Sequence, residues 1–259
     1  MAKLKRPRTV QGKNTVTFQI AEQVVEALKS RNPDALKNVL VSFRNQITVG
    51  FDERPGVGDA RVALVTSWLE KSPGASELFD IWDTGSNYTS LVLVSLAHTL
   101  SLISGTPAGS THAAVILRVL FDSTHARRLN AHLASGQTDV VLAALKVFGA
   151  AALIDPRSTF DAISWTAKAL PKLLSHRHRT PTSQPLVHPS IRTALVTLIL
   201  ALLPLTLPLE LFTTLFKGIA QDEGVIIKLI LEACWEKVWG DVKVPKSSKI
   251  KVFGGLGIY

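Results

Sequence analysis

Apolar residues recur every three or four positions along nearly the whole sequence, which is the period of an α-helix. No segment keeps the strict apolar-polar alternation of a half-buried β-strand. We therefore predict an all-α fold whose most apolar helices are 138–153 and 223–239. Between Val140 and Leu153 the only charged residue is Lys146, so this helix should contact neighbours on most of its sides.

Helices are predicted to begin where a capping side chain precedes an apolar run. The predicted starts are Asn32 with Pro33, Asp59, Ser76, Asn87 and Ser110, with Pro73 ending the helix that Asp59 begins. Roughly eleven to thirteen helices joined by short loops are typical of stacked helical pairs. We expect an α-solenoid of the HEAT or armadillo-like type over residues 14–259, because no tetratricopeptide or ankyrin consensus repeats. The uncapped VFGGLGIY end leads us to expect the N-terminal part of a longer scaffold.

The net charge of +9 is concentrated in three stretches without any acidic residue, 1–13, 162–209 and 242–259. Clustered positive charge favours a polyanionic partner, since neutralised phosphates release counterions. The alternative is that these stretches are solvated tail and loop. We expect 1–13 to be a flexible basic tail and 171–189 a basic loop. The candidate RNA-binding residues are Lys3, Lys5, Arg6, Arg8, Arg177, Arg179, Lys243, Lys246, Lys249 and Lys251.

A catalytic, metal or cofactor site is not predicted. The glycines of GVGDAR (56–61) lack the lysine and hydroxyl residue of a phosphate loop. His176, His178 and His188 share one loop, but arginines alternate with them and no carboxylate or cysteine is near. The single cysteine, Cys234, lies in an apolar helix, where packing is favoured over nucleophilic catalysis.

Other polar and aromatic residues are predicted to have structural rather than functional roles. His98 and His112 are expected in the core or at its boundary, and Asp80 and Asp83 in solvent beside Trp82. The five tryptophans lie on apolar helical stripes, which favours core packing over base stacking. Pro204 and Pro208 divide the longest uncharged run, 193–209, so a helix ending near Leu203 and another from Leu209 explain it without a membrane.

Several segments together resemble the N-terminal domain of the nucleolar pre-ribosomal-associated protein 1 family. The segments are SELFDIWD (76–83), HARRLNAHLASGQTDVVLAALKVFGA (125–150), LELFTTLFKGIAQDEGVIIKLILEACWEKV (209–238) and VPKSSKIKVF (244–253). The likeness covers most of residues 60–259. It implies a large α-helical scaffold of the nucleolus that joins early precursors of the large ribosomal subunit, contacts ribosomal RNA and works with a DEAD-box helicase and other assembly factors. The family has no catalytic residues to carry over.

Two hypotheses follow for function. The first is a non-enzymatic nucleolar or nuclear assembly factor for the early large (pre-60S) ribosomal subunit, with basic segments that contact ribosomal RNA. KLKRPR (3–8) fits either a nuclear address or an RNA-binding arm. The alternative is a protein-binding α-solenoid adaptor in transport or trafficking, in which the basic segments would be dispensable.

Overall fold

A computed structural model describes residues 21–29, 33–50, 53, 55–56, 58–84, 87–163, 189–202 and 224–239. Within these residues the regular structure is entirely helical and contains no strand, which confirms the all-α prediction. The helices are α1 (21–28), α2 (Pro33–Ile47), α3 (Ala60–Lys71), α4 (Ser76–Asp83), α5 (Thr89–Ser104), α6 (Pro107–Leu120), α7 (Ser123–His132), α8 (Thr138–Ala152), α9 (Pro156–Ala162), α10 (Pro189–Ala201) and α11 (Gly224–Trp239), with a 3-10 turn at Pro73–Ala75.

The chain divides into two compact units, Met1–Leu205 and Thr206–Tyr259. In the first unit α8 packs against α5 and α10, while α5 also packs against α2, α3, α4 and α6. Helices α2, α5, α8 and α10 therefore form a row in which each contacts the next. This row explains why α8 is apolar on nearly every side, as predicted: Leu145, Phe148 and most of its other residues are buried.

Two predicted helix boundaries are confirmed. Helix α2 begins at Pro33, whose fixed φ suits the first helical position, whereas the predicted cap, Asn32, lies outside the described residues. Asp59 caps α3 by accepting a hydrogen bond from the Arg61 N–H, and the helix ends at Lys71 before Pro73. One face of α3 is fully or almost fully buried, and it comprises Val62, Val65, Trp68 and Leu69.

The predicted start of α4 is wrong in its detail. Ser76 is the first helical residue rather than the cap, because the preceding turn already sets the direction of the chain. Gly74 and Ala75 both adopt the left-handed conformation, with φ of 71° and 58°. The cap position falls on Ala75, whose methyl side chain cannot accept a hydrogen bond. A methyl group on Gly74 would lie 3.1 Å from Val115 Cγ1, so α6 packs closely against this turn.

The predicted starts of α5 and α6 are also wrong. Asn87 lies in a turn, and α5 begins two residues later at Thr89 with no side-chain cap. Helix α6 begins at Pro107 rather than at Ser110, because Thr106 caps it by accepting a hydrogen bond from the Gly109 N–H at 3.1 Å. Thr followed by Pro is itself a helix-start pattern.

In the second unit α11 spans Gly224–Trp239, in agreement with the predicted helix 223–239. Ile226 and Ile230 are buried, whereas Lys228 and Glu232 are exposed and lie 3.7 Å apart as an i, i+4 ion pair. In the first unit α10 ends at Ala201, close to the predicted end near Leu203. The next predicted helix, from Leu209, lies outside the described residues.

Candidate functional site

All the predicted RNA-binding residues fall outside the part of the chain that the structure describes. They are Lys3, Lys5, Arg6 and Arg8 in the N-terminal segment, Arg177 and Arg179 in the segment 171–189, and Lys243, Lys246, Lys249 and Lys251 near the end. Their role stays a prediction. The described residues instead bring polar side chains together in three places, which are the α4–α7 junction, the surroundings of Arg61 and the surroundings of His98.

The α4–α7 junction is formed by Trp82, Asp83, Asp122, His125, Arg128 and His132. Trp82 is buried at the end of α4, as expected for its apolar stripe. Asp83 is half-exposed, but it is not merely solvated as predicted, because Arg128 Nη1 donates to its Oδ1. The Arg128 guanidinium carbon also lies 5.6 Å from the centre of the Trp82 ring, within range of a cation–π interaction. The exposed Asp80 fits the predicted solvated role.

His125 is buried between two carboxylates in the α4–α7 junction. Its Nδ1 lies 2.7 Å from Asp122 Oδ2, and its Nε2 lies 3.2 Å from Asp83 Oδ1. Because carboxylates only accept hydrogen bonds, each of these contacts is a hydrogen bond when the ring nitrogen in it carries a proton. The ring stacks on Trp82 with centroids 5.4 Å apart. Burial acts to raise the pKa of Asp122, but hydrogen bonds from His125 and Thr124 outweigh it and hold the pKa below its usual range.

His132 completes the α4–α7 junction. Trp82 Nε1 donates to His132 Nε2 at 3.1 Å, so this ring nitrogen carries no proton. Burial lowers the pKa of His132, and the positive charge of Arg128 lowers it further. The polar groups of the junction thus contact one another. They comprise the two carboxylates, the histidine ring nitrogens and the indole N–H. This arrangement fastens α4 to α7.

A second polar group surrounds Arg61 at the start of α3. Arg61 Nη1 donates to the Thr48 carbonyl at 2.7 Å, and its guanidinium pairs with both Glu53 and Asp59. Hydrogen bonds from Arg61 lower the pKa of both carboxyl groups and raise that of the guanidinium. Gly50 N–H also donates to Glu53 at 2.9 Å. These contacts hold Thr48, Gly50 and Glu53 against the start of α3.

His98 of α5 lies beside the same segment. The Val49 N–H donates to His98 Nδ1 at 3.2 Å, so the neutral ring carries its proton on Nε2. Burial lowers the pKa of His98 to about 4, and the positive charges of Lys146, Arg44 and Arg61 contribute to the decrease. His98 is therefore a half-buried boundary histidine, as predicted. His112 is also half-buried.

Sequence reasoning assigned no role to His125 or Arg128. The spacing of Asp122 and His125 could have indicated the contact between them, because an N-cap residue and the residue three positions later commonly bond to each other. The approach of Asp83 could not have been found this way, because 42 positions separate it from His125. The bond between Val49 and His98 likewise joins residues 49 positions apart.

Within the described ranges, no three or more histidine, cysteine or acidic residues are grouped so that they could bind a metal ion. The same part of the chain contains no helix with the length and apolar character that a bilayer crossing requires.

The chain was also compared with known proteins. A family model described as "Npa1: Ribosome 60S biogenesis N-terminal" matches residues 75–256, which is more than two thirds of the chain. The match takes in α4 to α11 and therefore both the α4–α7 junction and His98. No curated protein and no solved structure matched the chain.

Proposed function

This chain belongs to the Npa1 family of ribosome 60S biogenesis N-terminal domains, and from that premise we propose that it is a non-enzymatic nucleolar assembly factor acting on early precursors of the large ribosomal subunit. The family match over residues 75–256 is the observation that carries the proposal, and it confirms the resemblance found in the sequence. The α4–α7 junction supports a structural role for the polar residues that the match includes.

The scaffold part of the proposal is that the helices continue as a HEAT or armadillo-like solenoid. The row α2, α5, α8, α10 supports it, because each helix packs against the next as in a stacked helical array. We propose that the partners are other large-subunit assembly factors, including a DEAD-box helicase.

The RNA part of the proposal is that the acid-free basic segments contact precursor ribosomal RNA. These segments carry the excess positive charge of a chain whose net charge is +9. Each phosphate neutralised by a lysine or arginine releases counterions, so such contacts should make binding strongly dependent on salt. Lys246, Lys249 and Lys251 form the densest set of cations near the end of the sequence.

The test is binding of the full chain to a structured fragment of precursor ribosomal RNA across a salt series. The triple variant K246E/K249E/K251E should bind more weakly and lower the slope of log K against log salt by about 2 to 3. A control with the same net charge, K37E/R157E/K228E, changes three exposed cations on α2, α9 and α11 and should bind like the unmodified chain.

Absent or salt-independent RNA binding by the unmodified chain would contradict the RNA part of the proposal and favour the protein-binding adaptor. Equal losses of RNA affinity in the two triple variants would show that binding depends only on the total charge of the chain, and not on the C-terminal lysines.

A further inference from the structure

Helix α7 is attached to the rest of the fold in large part by polar contacts. All of its residues are described, and Leu129 is the only apolar side chain among them that is buried. The other buried residue is His125, which lies against the two carboxylates of the α4–α7 junction. A segment with few buried apolar contacts has a low free energy of local opening. The stability of α7 on α4 therefore depends on the polar contacts of the junction.

The last turn of α7 is joined to α4 by a hydrogen bond whose direction is fixed. The indole Nε1 of Trp82 can only donate, so His132 Nε2, 3.1 Å away, accepts and the proton of the neutral ring is on Nδ1. A ring protonated on both nitrogens cannot accept this bond. It would leave the indole N–H of the buried Trp82 without its partner. Protonation of His132 thus removes the contact.

The charges around His132 also favour its neutral form. Burial lowers the pKa of His132 below its ordinary value of 6.5, and the positive charge of Arg128, one turn earlier on α7, lowers it further. On the α4 side, Asp83 is paired with His125 and Arg128. Helices α6 and α8 pack against α7 as well. None of the other described titratable side chains of α4, α6 and α8 forms a hydrogen bond or ion pair with α7; they are Glu77, Asp80, His112, Arg118, Asp139 and Lys146.

We propose that α7 is a proton-sensitive latch, in which neutral His132 holds the last turn of the helix on Trp82 of α4 and protonation of His132 releases that turn. His125, near the other end of α7, acts in the opposite sense, because a second proton on its ring gives both neighbouring carboxylates a donor. Acid should therefore open the His132 end first. This inference does not depend on RNA binding, so it can fail while the proposed function holds.

The experiment measures hydrogen exchange of the backbone amides of residues 128–132 in the full chain between pH 7.5 and pH 5.0. Each rate is compared with the rate of an unfolded peptide at the same pH. Because the pKa of His132 is lowered in the folded chain, the contact is fully present above pH 6.5 and is lost as the pH falls below that value. The loss of this hydrogen bond should reduce the protection of these amides by roughly three- to tenfold.

Two variants separate the latch from other effects of pH. In His132→Gln the side-chain amide oxygen can accept the indole N–H bond and does not titrate, so this variant should keep its protection over the same range. The matched control His112→Gln changes another half-buried histidine and should behave like the unmodified chain. The amides of α8 report opening of the core and should show the same pH dependence in all three proteins.

A second readout needs no substitution. Nitrogen chemical shifts of the His132 ring at pH 7.5 should place its proton on Nδ1, and the ring should gain a second proton over the pH range in which residues 128–132 lose protection. A proton on Nε2 at pH 7.5 would overturn the latch. Equal pH dependence of exchange in the unmodified chain and His132→Gln would also overturn it, and so would an equal loss of protection in α7 and α8, because the whole fold would then be opening.

Discussion

The substitution His98→Asn should remove part of the pH dependence of stability. The Asn side-chain oxygen can take the position of Nδ1 and accept the Val49 N–H bond, but it does not titrate. In the folded chain the pKa of His98 is about 4, against an ordinary value of 6.5. The unfolded chain therefore takes up a proton on His98 between pH 6.5 and pH 4 that the folded chain does not. The histidine's contribution is fully present above pH 6.5 and is lost as the pH falls through this window.

The magnitude follows from about 1.4 kcal/mol for each unit of pKa difference, which gives roughly 3 kcal/mol over the whole window. Because the ring is half-buried, solvent screening reduces the expected effect to about 2 kcal/mol at pH 4.5. Urea unfolding at pH 7.5, 6.5, 5.5 and 4.5, followed by circular dichroism, gives the free energy of unfolding of both proteins.

The unmodified chain should lose about 2 kcal/mol more than His98→Asn between pH 7.5 and pH 4.5. Other titrating groups, including His132, are common to both proteins and cancel in the difference. If the free energies of unfolding of the two proteins changed in parallel with pH, His98 would not be held neutral by its surroundings. A larger loss of stability in His98→Asn than in the unmodified chain would contradict the lowered pKa.

Three further substitutions test the packing. Gly109→Ala should destabilise the chain by about 2 to 3 kcal/mol in urea unfolding, since the methyl group would lie 2.3 Å from the Ile103 carbonyl oxygen. The control Gly136→Ala, whose methyl group would have nothing within 4 Å, should change the stability little. Equal effects of the two substitutions would contradict the close α5–α6 contact. Phe148→Ala should cost about 3 to 5 kcal/mol by the same measurement, because its ring is fully buried on α8, and a cost below 1 kcal/mol would be inconsistent with that burial. Trp82→Phe should cost about 1 to 2 kcal/mol by leaving His132 Nε2 unpaired, which the pKa of His132 measured by NMR would report as a change.

The sequence was sufficient to predict the helices whose apolar periodicity is strong and whose caps are local. Asp59 illustrates this, because its side chain bonds only two residues ahead. The start of α4 was missed because the direction of the chain is set by left-handed backbone at Gly74 and Ala75 rather than by a capping side chain. The fixed φ of Pro107 and the hydroxyl of Thr106 begin α6 earlier than Ser110 indicated.

The candidate sites depend on contacts between distant parts of the chain. The sequence predicts that Asp83 is a solvated carboxylate at a helix end, but it pairs with Arg128 of α7, 45 positions away. Val49 and His98 are 49 positions apart, and the packing of α5 against α2 brings the Val49 N–H to the His98 ring. Periodicity predicts which face of a helix is buried, but not which charged residues of different helices become neighbours.

Crosslinking of the tagged full chain to RNA in cells, followed by sequencing, tests the proposed function most directly. A large-subunit assembly factor with RNA-contacting basic residues should enrich precursor ribosomal RNA of the large subunit over all other RNA. Equal or greater enrichment of messenger or transfer RNA would contradict it.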